Sequence, residues 1–160
     1  MAAIYLVRHG QAGFNKLDYD QLSELGHQQG QLVGNSLNAR GIEASLAIHG
    51  AMRRHRETLQ GAQKVWHAHG PVIEDRGFNE FDGVEIIAAA HSELKVPGFS
   101  NEGIASNNLV QKTALGIYLA KQENPNKAFQ KLFTTSVDRW ISGEYDDDYA
   151  ESWNQFTQRC

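Results

Sequence analysis

Cysteine is all but absent from this chain: the one present, Cys160, is its last residue. That excludes a disulfide framework and a cysteine-based metal site, and a cytoplasmic setting is the expectation. Long apolar runs are lacking too. None approaches the length needed to span a bilayer, so no membrane association is expected. The residues ahead of Arg8 are few and lack the basic flank of a secretion signal, so none is expected. Nor is there a surplus of positive charge. Fifteen Lys and Arg against 19 Asp and Glu give a net charge of −4, which argues against a broad nucleic-acid surface. One local exception is Arg53-Arg54-His55-Arg56, a basic cluster in an acidic chain. What is present is 160 residues with 41% apolar and 21% charged content, the make-up of a single soluble globular domain.

The apolar run at residues 4–7, bounded by turn signals, predicts a buried strand. Gln11 to Gln21 is polar and irregular, a loop. Ser23 is a candidate N-cap for a helix running to about Arg40, with Leu25, Leu32, Val33 and Leu37 on its apolar side and Gly41 closing it. Gly26, Gly30 and Gly34 each weaken that helix by about 1 kcal/mol against alanine. Their i, i+4, i+8 spacing would let a neighbour pack close. Ala44 to Ile48 predicts a second strand ending at His49-Gly50, and Arg53 to Ala68 a helix carrying Leu59, Ala62, Val65 and Trp66. After the Gly70-Pro71 break, Val72 to Glu74 is a third short strand. Strand and helix in alternation imply an α/β fold with a parallel sheet flanked by helices in three layers, with ligands at the carboxyl ends of the strands. Beyond Glu80 the pattern turns helical over 84–95, 107–121 and 127–142, interrupted at Pro97-Gly98 and Asn124-Pro125. The region 82–150 reads as a lid or flank of a single domain, and Asp146 to Asp148 as a solvated turn.

Arg8-His9-Gly10 closes the first predicted strand with residues suited to phosphate chemistry. A guanidinium fork matches two phosphate oxygens. A neutral imidazole is nucleophilic near neutral pH. A glycine lets backbone approach a ligand. Alone, the tripeptide fits equally a structural arginine and a strand-end histidine.

The stretch from Leu6 to Asn15, Leu-Val-Arg-His-Gly-Gln-Ala-Gly-Phe-Asn, resembles the opening motif of the histidine phosphatase superfamily, the phosphoglycerate mutase-like proteins. Leu22-Ser23-Glu24-Leu25-Gly26 is similar to the start of that family's first helix. Met52 to Thr58 is similar to its second arginine motif, and Phe78-Asn79-Glu80-Phe81-Asp82-Gly83 to its acidic motif. The resemblance implies a phosphomonoester hydrolase in which His9 is the nucleophile and carries a phosphohistidine. Arg8 and Arg54 would clamp the phosphoryl oxygens, Asn15 would donate a further hydrogen bond, and Gly10 would line the same site. Glu80 would protonate the leaving oxygen, with Asp82 the alternative acid. Neither a metal nor a cofactor is implied, and the partner is a small phosphorylated substrate. Glu80 poses a conflict: arginines depress its pKa, whereas a general acid must keep its proton. An incoming phosphate dianion would resolve it by raising that pKa in the complex only.

The family pattern also has a second histidine near its C-terminus, followed by glycine at the end of a late strand. Here no histidine follows His91, so the C-terminal strand is expected to be missing and the chain truncated. His49 is a candidate pocket-lining residue, while His27, His55 and His91 are expected to face solvent. Without a neighbour on one side, the edge at residues 4–7 invites association, which makes a homodimer an expectation. Two rival functions stand beside hydrolysis: a degenerate domain that binds phosphate or a partner without turnover, and mutase-type phosphoryl transfer. Specificity would lie in the segment 82–110.

Overall fold

A computed structural model describes residues 3–13, 20–91, 94 and 113–160. The chain divides into two compact units, Met1–Glu80 and Phe81–Cys160. The division falls where the sequence changes from alternating strand and helix to helix alone.

In the first unit, α1 (Glu24–Ala39) starts as expected at Ser23, whose hydroxyl accepts the Gly26 amide. It ends in a Schellman turn: the Ile42 amide reaches the Leu37 carbonyl and the Gly41 amide that of Asn38, with Gly41 at φ 61°. The strands β1 (Ala47–His49) and β2 (Val72–Glu74) pair in parallel, Ile48 opposite Ile73, and α2 (Arg53–Gln63) connects them. A single 3₁₀ turn, Arg76–Phe78, follows β2. The helix glycines do what their spacing suggested. A Cβ on Gly30 would lie 2.9 Å from the Thr58 carbonyl oxygen, and one on Gly34 2.3 Å from that of Ala62. The glycine stripe therefore brings the backbones of α1 and α2 together. At its upper end Gly26 and Gly10 exclude side chains from each other in the same way, with 2.4 Å from a Gly10 Cβ to the Gly26 oxygen.

Three expectations need correction. Residues 4–7 are not a strand: the segment forms no ladder among the described residues, and Ile4 and Leu6 are 87% and 89% exposed. An apolar run becomes a strand only when another strand pairs with it, and neither β1 nor β2 does. Anchoring falls instead to residues 11–13, where Ala12 bridges antiparallel to Leu22. The second strand lies later than Ala44–Ile48, with Ala44 making only an isolated bridge to His69. The second helix stops at Gln63, short of Ala68. There the amides of Val65 and Trp66 both turn back to the Ala62 carbonyl, and the buried Trp66 ring donates to the Ile42 carbonyl at 2.8 Å. The described sheet is thus two-stranded and parallel.

The second unit is helical: α3 (Gly83–Ala90), α4 (113–120), α5 (Pro125–Ser142) and α6 (Trp153–Arg159). Asn124 caps α5, with Pro125 in its first turn and Gly143 at φ 70° after it. Ile87, Leu94, Leu115 and Leu132 form one buried cluster, and Ile86, Trp140 and Tyr149 another. Phe81, Trp153 and Phe156 pack on the second cluster, and the Trp140 indole donates to the Glu151 carbonyl at 2.8 Å. Asp146–Asp148 is a 3₁₀ turn. No described helix is long and apolar enough to cross a membrane.

Gly34→Ala should lower stability by about 1–3 kcal/mol through overpacking against α2. Gly116→Ala, with nothing within 4 Å of the new carbon, should raise it by about 0.5–1 kcal/mol. Urea denaturation of the two variants measures both signs.

Candidate active site

The site lies in the first unit, at the carboxyl edge of the small sheet, where the residues following β1 and β2 meet the segment containing His9. Its floor is the start of α2. Met52 supplies no side-chain cap, so the Asp20 carboxylate takes that place and accepts the amides of Arg53 and Arg54 at 2.7 and 3.4 Å. A carboxylate there also meets the positive end of the helix dipole. Asp20 then holds the Arg54 guanidinium through Nη1 at 2.8 Å. Arg54 is 8% exposed, and its Nη2 reaches Glu80 Oε2 at 2.9 Å. A buried guanidinium needs such compensation.

The other oxygen of Glu80 faces two imidazoles, with His9 Nε2 at 3.0 Å and His55 Nε2 at 3.5 Å. The two rings stack with centroids 5.6 Å apart. The Nδ1 of His9 donates to the Gly10 carbonyl at 2.6 Å. This bond fixes the ring and leaves Nε2 aimed at the carboxylate. Glu80 is held far below the usual carboxylate range, by the hydrogen bond from His55 first and that from His9 next; burial opposes both, and Arg54 adds to them. His9 is pushed up from its ordinary value because the Glu80 hydrogen bond outweighs burial. The pair therefore favours imidazolium and carboxylate.

A second layer fixes these groups. The Thr58 hydroxyl donates to the Arg54 carbonyl at 2.7 Å and accepts the Gly10 amide at 2.9 Å, tying the His9 segment to α2. Asn79 accepts the Ala51 amide at 2.7 Å, which seats Glu80 beside the end of β1. Gly50 leaves the space that the His55 ring fills, since a Cβ there would lie 2.4 Å from His55 Nδ1. Glu57 accepts the Leu22 amide at 2.9 Å. Burial works against its charge, yet that amide and Arg53 together hold its carboxyl below the ordinary value.

Of the residues expected from sequence, His9, Arg54 and Glu80 come together. Gly10 is buried at the centre, its amide spent on Thr58 and its bare Cα on the approach to Gly26. Arg8 does not join them: it is exposed and makes no ion pair or hydrogen bond among the described residues. Asn15 lies outside the described residues. His49 ends β1, and its Nδ1 donates to the Gly50 carbonyl at 2.7 Å. Arg53 pairs with Glu57 at 2.6 Å and Arg56 with Glu74 at 3.7 Å, as expected of surface arginines. Asp82 caps α3 through the amides of Val84 and Glu85.

Sequence reasoning missed two members. His55, expected in solvent, is the second imidazole, its side chain only 12% exposed. Its position one residue after Arg54, in the first turn of a helix pointing at the site, was the available signal. Asp20 was read as loop, and nothing local marks it as the partner of a helix start 33 residues away. One donor atom from each of His9, His55 and Glu80 lies within 4.8 Å of the other two, a spacing that one metal ion can bridge.

The family model for the histidine phosphatase superfamily (branch 1) matches residues 4–95. No curated protein and no solved structure matches the chain.

Thr58→Val should cost about 1–3 kcal/mol, because the buried Gly10 amide loses its acceptor, while Thr58→Ser should stay near wild type in urea denaturation. The His9–Glu80 pair also predicts a pH dependence. A raised histidine pKa stabilises fully below the unfolded value of 6.5 and loses its contribution as pH climbs through the folded one. A depressed glutamate stabilises above 4.5 and loses its contribution as pH falls through its folded value. The pair's contribution should peak between those values. Thermal melts from pH 5 to 8 should show a decline in Tm above pH 6.5 that is flatter in His9→Gln.

Proposed function

Because the chain belongs to the histidine phosphatase superfamily, whose members are generally phosphatases and mutases, we propose that this site hydrolyses a phosphomonoester through a phosphohistidine on His9. The observation behind this reading is a single alignment: His9 Nε2 faces Glu80 Oε1 at 3.0 Å while Nδ1 is bound to the Gly10 carbonyl. The nucleophile and the acid share one proton.

In the resting state that proton sits on His9 and the nitrogen is masked. A bound phosphate dianion reverses the preference by placing negative charge beside Glu80 and drawing on Arg54. The proton then crosses to Glu80 Oε1, and Nε2 gains the lone pair that attacks phosphorus. As the P–N bond forms, the P–O bond breaks and Glu80 protonates the departing oxygen. Glu80, again a carboxylate, takes a proton from the water that releases phosphate. Arg54 and the Nε2–H of His55 stabilise the equatorial oxygens. The conflict over Glu80 thereby becomes the trigger: its depressed pKa belongs to the resting site and its acid form to the complex.

One observation favours a second reading. Arg8 stands exposed, leaving Arg54 as the guanidinium at the centre, and its Nη1 and Nη2 already hold Asp20 and Glu80. A domain that holds phosphate without turnover would look the same.

Hydrolysis of an aryl phosphate separates the two. The purified chain should turn over and, when quenched with base, carry an acid-labile phosphoryl group that His9→Ala lacks. Glu80→Gln should lower kcat by about 100-fold or more for alkyl phosphates and far less for activated aryl esters. Phosphate binding without label or turnover would establish the binding domain instead.

A further inference from the structure

The same cluster has a second chemistry. Two half-buried imidazoles and a carboxylate converge, with His9 Nε2 and His55 Nε2 at 3.0 and 3.5 Å from Glu80 Oε1. A tetrahedral zinc ion about 2.05 Å from each donor sets its donors about 3.3 Å apart. The two separations to Glu80 Oε1 bracket that value, and donors from all three residues lie within 4.8 Å of one another. We propose that His9, His55 and Glu80 form a three-ligand site for a divalent transition metal of the zinc class, which excludes phosphoryl chemistry while it is occupied.

The surroundings fit a metal as well as the three donors do. Nδ1 of His9 donates to a carbonyl, the outer contact that orients an imidazole and raises its basicity as a ligand. The His55 ring is fitted against Gly50, whose missing side chain admits its Nδ1 edge. Arg54 occupies Glu80 Oε2, so the carboxylate offers one oxygen and binds in monodentate fashion. Two neutral imidazoles and one carboxylate, with Glu80 nearly half exposed, leave the fourth position open to water. The nearby guanidinium repels a cation, which sets the affinity below that of a structural zinc site. On binding, three ligand lone pairs form metal bonds, and any proton on the two Nε2 atoms passes to solvent. The metal thus takes the lone pair that His9 would use on phosphorus.

The site shares its side chains with the proposed phosphatase, but its binding is read without turnover, so either reading can fail alone. Zn²⁺ would be titrated into the purified chain against a chromophoric chelator, with Co²⁺ absorption as a second probe and far-UV circular dichroism to confirm folding. One Zn²⁺ per chain is expected, with visible Co²⁺ bands of a low-coordinate site. Affinity should fall at least about tenfold in both His55→Ala and the isosteric Glu80→Gln, and His67→Ala should leave it unchanged. Inorganic vanadate should displace Co²⁺ and bleach its bands. A wild-type chain that takes up no stoichiometric Zn²⁺ would overturn the proposal. So would equal affinity in folded Glu80→Gln, or Co²⁺ bands indifferent to vanadate.

Discussion

A seam too narrow for one extra carbon holds the first unit together. Gly26, Gly30 and Gly34 lay one face of α1 against residues 10–11 and against the backbone of α2. Everything at the site is referred to that seam. It decides how near His9 comes to Thr58, and therefore to Arg54 one turn earlier on α2. The seam costs helix propensity, about 1 kcal/mol for each glycine, and returns backbone contact that no side chain could give. It also explains how the His9 segment is held beside a described sheet of only two strands. Thr58 takes over the anchoring of the His9 segment, which a neighbouring strand would otherwise supply.

On that frame sits one carboxylate shared by three cationic or proton-bearing groups. Glu80 takes His9 and His55 on one oxygen and Arg54 on the other. Asp20 balances Arg54 from its far side and completes a chain of alternating charge. Such a network, partly buried and fully paired, is sensitive to any charge that enters it. A dianion weakens the hold of the cations on Glu80, and a divalent cation competes for the same donors. Both responses follow from the distribution of charge at rest.

Much of this was legible in the sequence where the determinants are local. Ser23 and Gly41 bound α1 because a hydroxyl cap and a left-handed glycine act within one turn. The β1–α2–β2 order follows from short apolar runs alternating with an amphipathic segment. His9, Arg54 and Glu80 were named from compact motifs, and their side chains lie together. What stayed hidden depends on distant partners. The run at 4–7 has the composition of a strand but pairs with neither β1 nor β2, and composition carries no information about pairing partners. Asp20 gains its meaning only when α2 is placed over it. His55 reads as a surface residue until Gly50, five positions earlier, is seen to make room for its ring.

The shared proton between His9 and Glu80 is tested most directly by NMR titration of the His9 imidazole, assigned by its loss in His9→Gln. Its pKa should lie above 6.5 in the wild-type chain and drop toward or below that value in Glu80→Gln, where burial and Arg54 act to lower it against the Gly10 carbonyl alone. An ordinary pKa, unmoved by removal of the Glu80 charge, would contradict the pairing and with it the proton transfer on which the proposed chemistry depends.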